Sequence, residues 1–147
     1  MTALSTSHRT VIALGVAFAL AAIGICVAML RAPDARPAGD VISTARGQYF
    51  TASFTSSVSP VPINTMHTWT VWITDDAGRP VSDAVVTISG DMPGHGHGLP
   101  TAPVARAIGG GAYALEGMQF QMPGDWYVEL QIESAGRRDS VRFDFKL

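Results

Sequence analysis

The sequence predicts an all-β, immunoglobulin-like sandwich of about seven strands, preceded by one N-terminal transmembrane helix. Three observations predict it. Apolar residues alternate with polar ones in at least five stretches after residue 48, which is the period of a half-buried strand. Gly, Pro, Asn and Asp clusters separate those stretches at short intervals, and no helical period appears among them. Ahead of them lies one run of twenty residues, 11–30, with no charge at all.

Residues 1–10 read as a short tail. Residues 11–30, VIALGVAFALAAIGICVAML, are flanked by Arg9 and Arg31 and read as the transmembrane anchor. At about 1.5 Å per residue a helix of this length crosses a hydrocarbon core of roughly 30 Å. The rival is a cleaved secretory signal, whose apolar region is usually only about 7–15 residues long. Cleavage near Ala19-Leu20-Ala21 would leave a greasy terminus, and Ile25 before Cys26 is not the small residue that a lipid-attachment site wants. The arginines on the two flanks do not decide orientation. A short tail ahead of a folded domain favours an inside N-terminus, with the domain on the periplasmic or extracytoplasmic side of the cytoplasmic membrane. Residues 31–48, rich in Pro, Ala, Gly and charge, read as a linker.

Residues 49–147 form the β domain. In YFTASFTSSV the face is Phe50, Ala52, Phe54 and Val58; in HTWTVWIT it is His67, Trp69, Val71 and Ile73. DDAGRP is a turn. DAVVTISG then puts Ala84, Val86 and Ile88 on one side, and Met92 continues their parity to the rim of the core. Strands are also expected at APVARAI and AYALEGMQFQM. In the second, the inward set shifts from Tyr113 and Leu115 to Met118, Phe120 and Met122, so Gly117 marks a bulge. DWYVELQIE buries Trp126, Val128, Leu130 and Ile132. VRFDFKL buries Val141, Phe143, Phe145 and Leu147, and an Ala-Gly turn makes the two a hairpin. A small barrel is the alternative closure of the same strands.

Composition removes several function classes. The net charge of −2, without a Lys/Arg cluster, offers no face for nucleic acid. One cysteine allows neither an intrachain disulfide nor a thiolate zinc site. No nucleophile elbow or protease context surrounds the serines and histidines, so the chain does not read as an enzyme.

What stands out is GDMPGHGHGLPTAP, residues 90–103. His95 and His97 are two apart; in extended backbone they would share a face, roughly 6.6 Å apart along the chain, and the glycines let them converge. Met92 precedes them. His67, beside Met66, and Met122 are further candidates, while Met118, Phe120 and Met122 also read as a plain core stripe. Imidazole with thioether suits copper, Cu(I) in particular, and disfavours Mg²⁺ or Ca²⁺. Taken as residues alone, HxH in a Gly/Pro loop is a weak motif, and a rigid connector in a structural or adaptor module reads equally from it.

Four motifs in order, HTW, GRPVSDA, MPGHGHGLPTAP and GAYALEGMQFQMPGDWYVEL, resemble the YtkA-like/FixH-like proteins over roughly residues 65–132. That resemblance implies a small exported or membrane-anchored bacterial β-sandwich, with His67, Met92, His95, His97 and Met122 on the family's recurring positions. FixH-type members are associated with maturation of copper-containing terminal oxidases. The implied partners are therefore the membrane, through the N-terminal helix, and a copper enzyme or oxidase assembly complex.

Overall fold

A computed structural model describes residues 43–147. The tail, the anchor segment 11–30 and most of the linker lie outside the described residues. Nine strands are described: β1 (Ser43–Arg46), β2 (Phe50–Ser56), β3 (His67–Asp75), β4 (Val85–Met92), β5 (His97–Gly98), β6 (Val104–Gly109), β7 (Ala112–Met118), β8 (Asp125–Ser134) and β9 (Arg137–Lys146). They form two antiparallel sheets, one in the order β1-β2-β3-β7-β6 and the other β5-β4-β8-β9. The all-β, two-layer expectation holds.

The strand alternation carries directly into burial. Phe50, Ala52, Phe54, Trp69, Val71, Ile73, Trp126, Val128, Leu130, Ile132, Val141 and Phe143 are all buried in one core. Ala84, Val86 and Ile88 pack against it half-buried. Phe54 stacks on Trp69 with ring centres 4.0 Å apart, and Phe143 meets Phe54 edge-on at 4.9 Å, the latter a geometry that aromatic quadrupoles favour. Val58 departs from its expected face: β2 stops at Ser56, and Val58 is exposed.

Two strands exceed the expected seven. β1 lies inside the segment read as linker, pairing Ser43 with Phe54 and Arg46 with Thr51. The domain therefore takes in residues ahead of 49. The reason is a long-range tie that no local pattern reveals. The Asp139 carboxylate accepts the backbone N–H groups of Gln48, Tyr49 and Phe50 at 3.0, 2.7 and 2.9 Å, and Ser140 N–H at 2.9 Å. It fastens the β1–β2 turn to β9 of the other sheet. Gly47 makes room for it, because a Cβ there would overlap the carboxylate.

The predicted bulge is present. Thr68 pairs with Glu116 and His67 with Met118, so Gly117 is skipped; its φ of 87° is the left-handed conformation that glycine adopts without strain. The skip turns Met118 and then Phe120 into the core, both fully buried. Across the sandwich, Tyr113 Oη donates to Val81 O at 3.0 Å and accepts from Ala84 N–H at 2.8 Å. This is a tyrosine tie of the kind that anchors loops at sandwich corners. Burial, outweighing other influences, pushes its phenol above the ordinary value.

Register also defines one end of the sandwich. β3 begins and β7 ends at the His67–Met118 pair, while β4 ends as β8 begins, with Asp91 opposite Tyr127. Phe120 bridges the layers there, 5.8 Å from the His67 ring and 5.2 Å from Trp126. Gly124 and Leu147 exchange both backbone hydrogen bonds at 2.9 Å, closing the same end.

Candidate metal centre

The HGH segment is a hairpin turn and not an open loop. Met92 O accepts His95 N–H at 2.9 Å and Gly96 N–H at 3.1 Å, and Met92 then pairs with His97 as β5 returns along β4. Gly96 makes this possible with a φ of 66°. Gly98 is closely approached as well, since a Cβ there would come 3.0 Å from the Gly90 carbonyl, a tight contact. Leu99 N–H closes the hairpin onto Gly90 O at 3.1 Å. His95 thus sits in the turn and His97 on the strand, both exposed. Their ring centres are 5.7 Å apart, tilted by 43°. Two imidazoles at that separation can each turn a nitrogen toward one ion with bonds near 2.0 Å.

The other expected donors divide. Met92 is the strand partner of His97, and directly opposed residues project to the same sheet face. It is buried, only 4% exposed, and its methyl lies where a Cβ at Gly124 would fall. Met122 is half-buried against the core, and its carbonyl accepts the Trp126 indole N–H at 3.0 Å. Met118 is a core residue with no exposure, as the stripe reading has it. Met66 is exposed.

His67 is the chief departure from the ligand set. It is buried, and both ring nitrogens are used. Nδ1 lies 3.0 Å from Thr65 O, to which it donates, and Nε2 accepts the Trp69 indole N–H at 3.1 Å. No lone pair is left for a metal in this arrangement. Its place opposite Met118 follows from strand parity, and the indole two residues on, at Trp69, satisfies it.

One residue at the site was not among the expected donors. Gln121, in the segment between β7 and β8, places its amide nitrogen 3.0 Å from His97 Nδ1 and 3.1 Å from Gly98 O. An amide nitrogen only donates, so both neighbours accept. Its Oε1 is buried and has no partner among the described residues. Also among the described residues, no three His, Cys, Asp or Glu side chains gather as a metal site. The donor inventory at this end is two imidazoles plus thioethers, which fits a soft monovalent ion better than a hard divalent one.

Comparison with known proteins agrees with the fold. The sequence model of the YtkA-like family matches residues 48–131. No curated protein matches significantly. A solved structure similar to this one is a DUF4426 family protein from Pseudomonas aeruginosa PAO1. It is 18% identical, covers 71% of this chain and 96% of its own, and has a TM-score of 0.52. At that identity the likeness speaks for the fold alone.

Proposed function

The chain belongs to the YtkA-like family, and from that premise we propose that it is a membrane-anchored, extracytoplasmic β-sandwich that binds or hands over copper. His95 and His97 are the proposed ligands, with Met92 as the third donor and Met122 as a further one. His67 is reassigned to holding Trp69. The observation that carries the reading is the exposed imidazole pair, 5.7 Å between ring centres, on a hairpin whose closing strand residue is Met92. A solvent-facing two-nitrogen site suits exchange with a client better than permanent storage. Segment 11–30 would hold the domain at the cytoplasmic membrane, where a copper enzyme or oxidase assembly complex is the proposed client. No catalytic role is proposed.

The test is Cu(I) titration of the full chain in detergent against a His95→Ala/His97→Ala double variant. The expected loss of affinity exceeds the roughly 10–100-fold typical of outer-shell changes. Equal affinity in the two proteins would end the copper reading and leave an adaptor module. Met92→Leu separates ligation from packing: it conserves volume, so folding should change by less than about 1.5 kcal/mol while copper affinity falls.

A further inference from the structure

We propose that Gln121 is the positioning residue of the histidine pair. Its amide sets which nitrogen of His97 carries the proton, and its buried Oε1 is the acceptor that the metal-ligating tautomer of His97 requires. The inference rests on the copper reading above and deepens it.

The argument starts from hydrogen-bond capacity. The Gln121 amide nitrogen has two protons; one goes to Gly98 O and the other faces His97 Nδ1. Neutral His97 therefore accepts at Nδ1 and carries its proton on Nε2, the nitrogen left for solvent. A ligand nitrogen must instead offer a lone pair. For Nε2 to do so, its proton leaves to water and Nδ1 takes one up, which then needs an acceptor.

Gln121 supplies that acceptor without moving its backbone. A half-turn of the amide exchanges Oε1 and Nε2 within one volume and presents Oε1 to Nδ1–H. The exchange gives up the bond to Gly98 O. It gives up nothing on the Oε1 side, because that oxygen has no partner in the present orientation. The flip costs the Gly98 O bond and turns the amide protons toward the space where Oε1 had no partner, so the free arrangement is the favoured one and copper binding must offset the difference, which keeps the site exchangeable. Gly98 lies one residue past His97, so the same amide also fixes the returning strand on which the ring is mounted.

The experiment is imidazole ¹⁵N–¹H correlation spectroscopy on the full chain in detergent, without metal and with one equivalent of Cu(I), alongside Gln121→Leu and Gln121→Glu. In the free wild type, His97 should be the Nε2–H tautomer, changing to Nδ1–H on loading. Gln121→Leu should give a mixture of tautomers in the free protein. Gln121→Glu, which can only accept there, should hold free His97 as Nδ1–H and bind Cu(I) about tenfold more tightly than Gln121→Leu. Finding free His97 already in the Nδ1–H form, or its tautomer unmoved by Gln121→Leu, would overturn the proposal. A wild type that takes up no copper but shows the tautomer dependence would sink the copper reading and keep Gln121 as the residue that positions His97.

Discussion

His67 and His97 show how little the residue type says by itself. Both were legible as candidate ligands, one by its place on the Trp69 face and one by the HGH motif. Their surroundings separate them: His67 is 6% exposed with both nitrogens bonded, whereas His97 is exposed with one nitrogen held by Gln121. A sequence reading could not settle this: parity put Trp69 on the face of His67 but did not put its N–H on Nε2, and the partner of His97 lies 24 residues away. Gln121 itself was invisible, since glutamine has no ligand signature and acts here only through the approach of its segment. The distinction is measurable. His67→Ala orphans the Trp69 indole N–H in the core and should destabilise the fold by about 1–3 kcal/mol, read by denaturant unfolding, while Cu(I) affinity stays within twofold of the wild type at temperatures where the variant is folded.

At the scale of elements, strands with long alternation were readable and short edge strands were not. β3, β8 and β9 each carry four or more inward residues in phase, so their period is unmistakable. β1 and β5 have four and two residues, too few to establish any period, and they exist because a neighbour pairs them. The bulge at Gly117 was legible because the apolar phase visibly slips there. The β4–β5 hairpin depends on a packing relation outside itself: Met92 occupies the space beside Gly124, whose φ is 140°. Gly124→Ala should therefore displace the Met92 methyl and strain the backbone. The expected result is a loss of about 1–3 kcal/mol, with the His95 and His97 resonances shifting more than those of residues at the far end of β3.

Across the whole molecule, two ties from polar side chains join parts that the hydrophobic pattern leaves independent. Beyond the β8–β9 hairpin, which its turn announced, strand neighbours were not readable, since β3 skips 36 residues of chain to pair with β7. Tyr113 links β7 to the β3–β4 connection, and Tyr113→Phe leaves Val81 O and Ala84 N–H without it. Unfolding stability should fall by about 1–3 kcal/mol. Asp139 links the two sheets through three main-chain donors and takes a fourth from Ser140 on its own strand. Partial burial works against its charged form, but the N–H groups of Tyr49, Gln48, Phe50 and Ser140 together outweigh it and hold the carboxyl below its ordinary value. With the folded value depressed, the stabilisation is complete above the unfolded pKa and disappears as pH falls through the folded one. Asp139→Asn should thus be less stable than the wild type by about 1–2 kcal/mol at neutral pH, and the gap between their thermal melts should begin to close below about pH 4 and vanish only below the depressed folded value.

The mutual backbone bonds between Gly124 and Leu147 have a practical corollary. Whatever is fused behind Leu147 departs from the rim that carries the imidazole pair. A C-terminal polyhistidine purification handle would hang beside His95 and His97 and offer rival nitrogens at high local concentration. Stoichiometries from such a fusion would report the handle; a removable handle at a distant site, or none, is the appropriate choice.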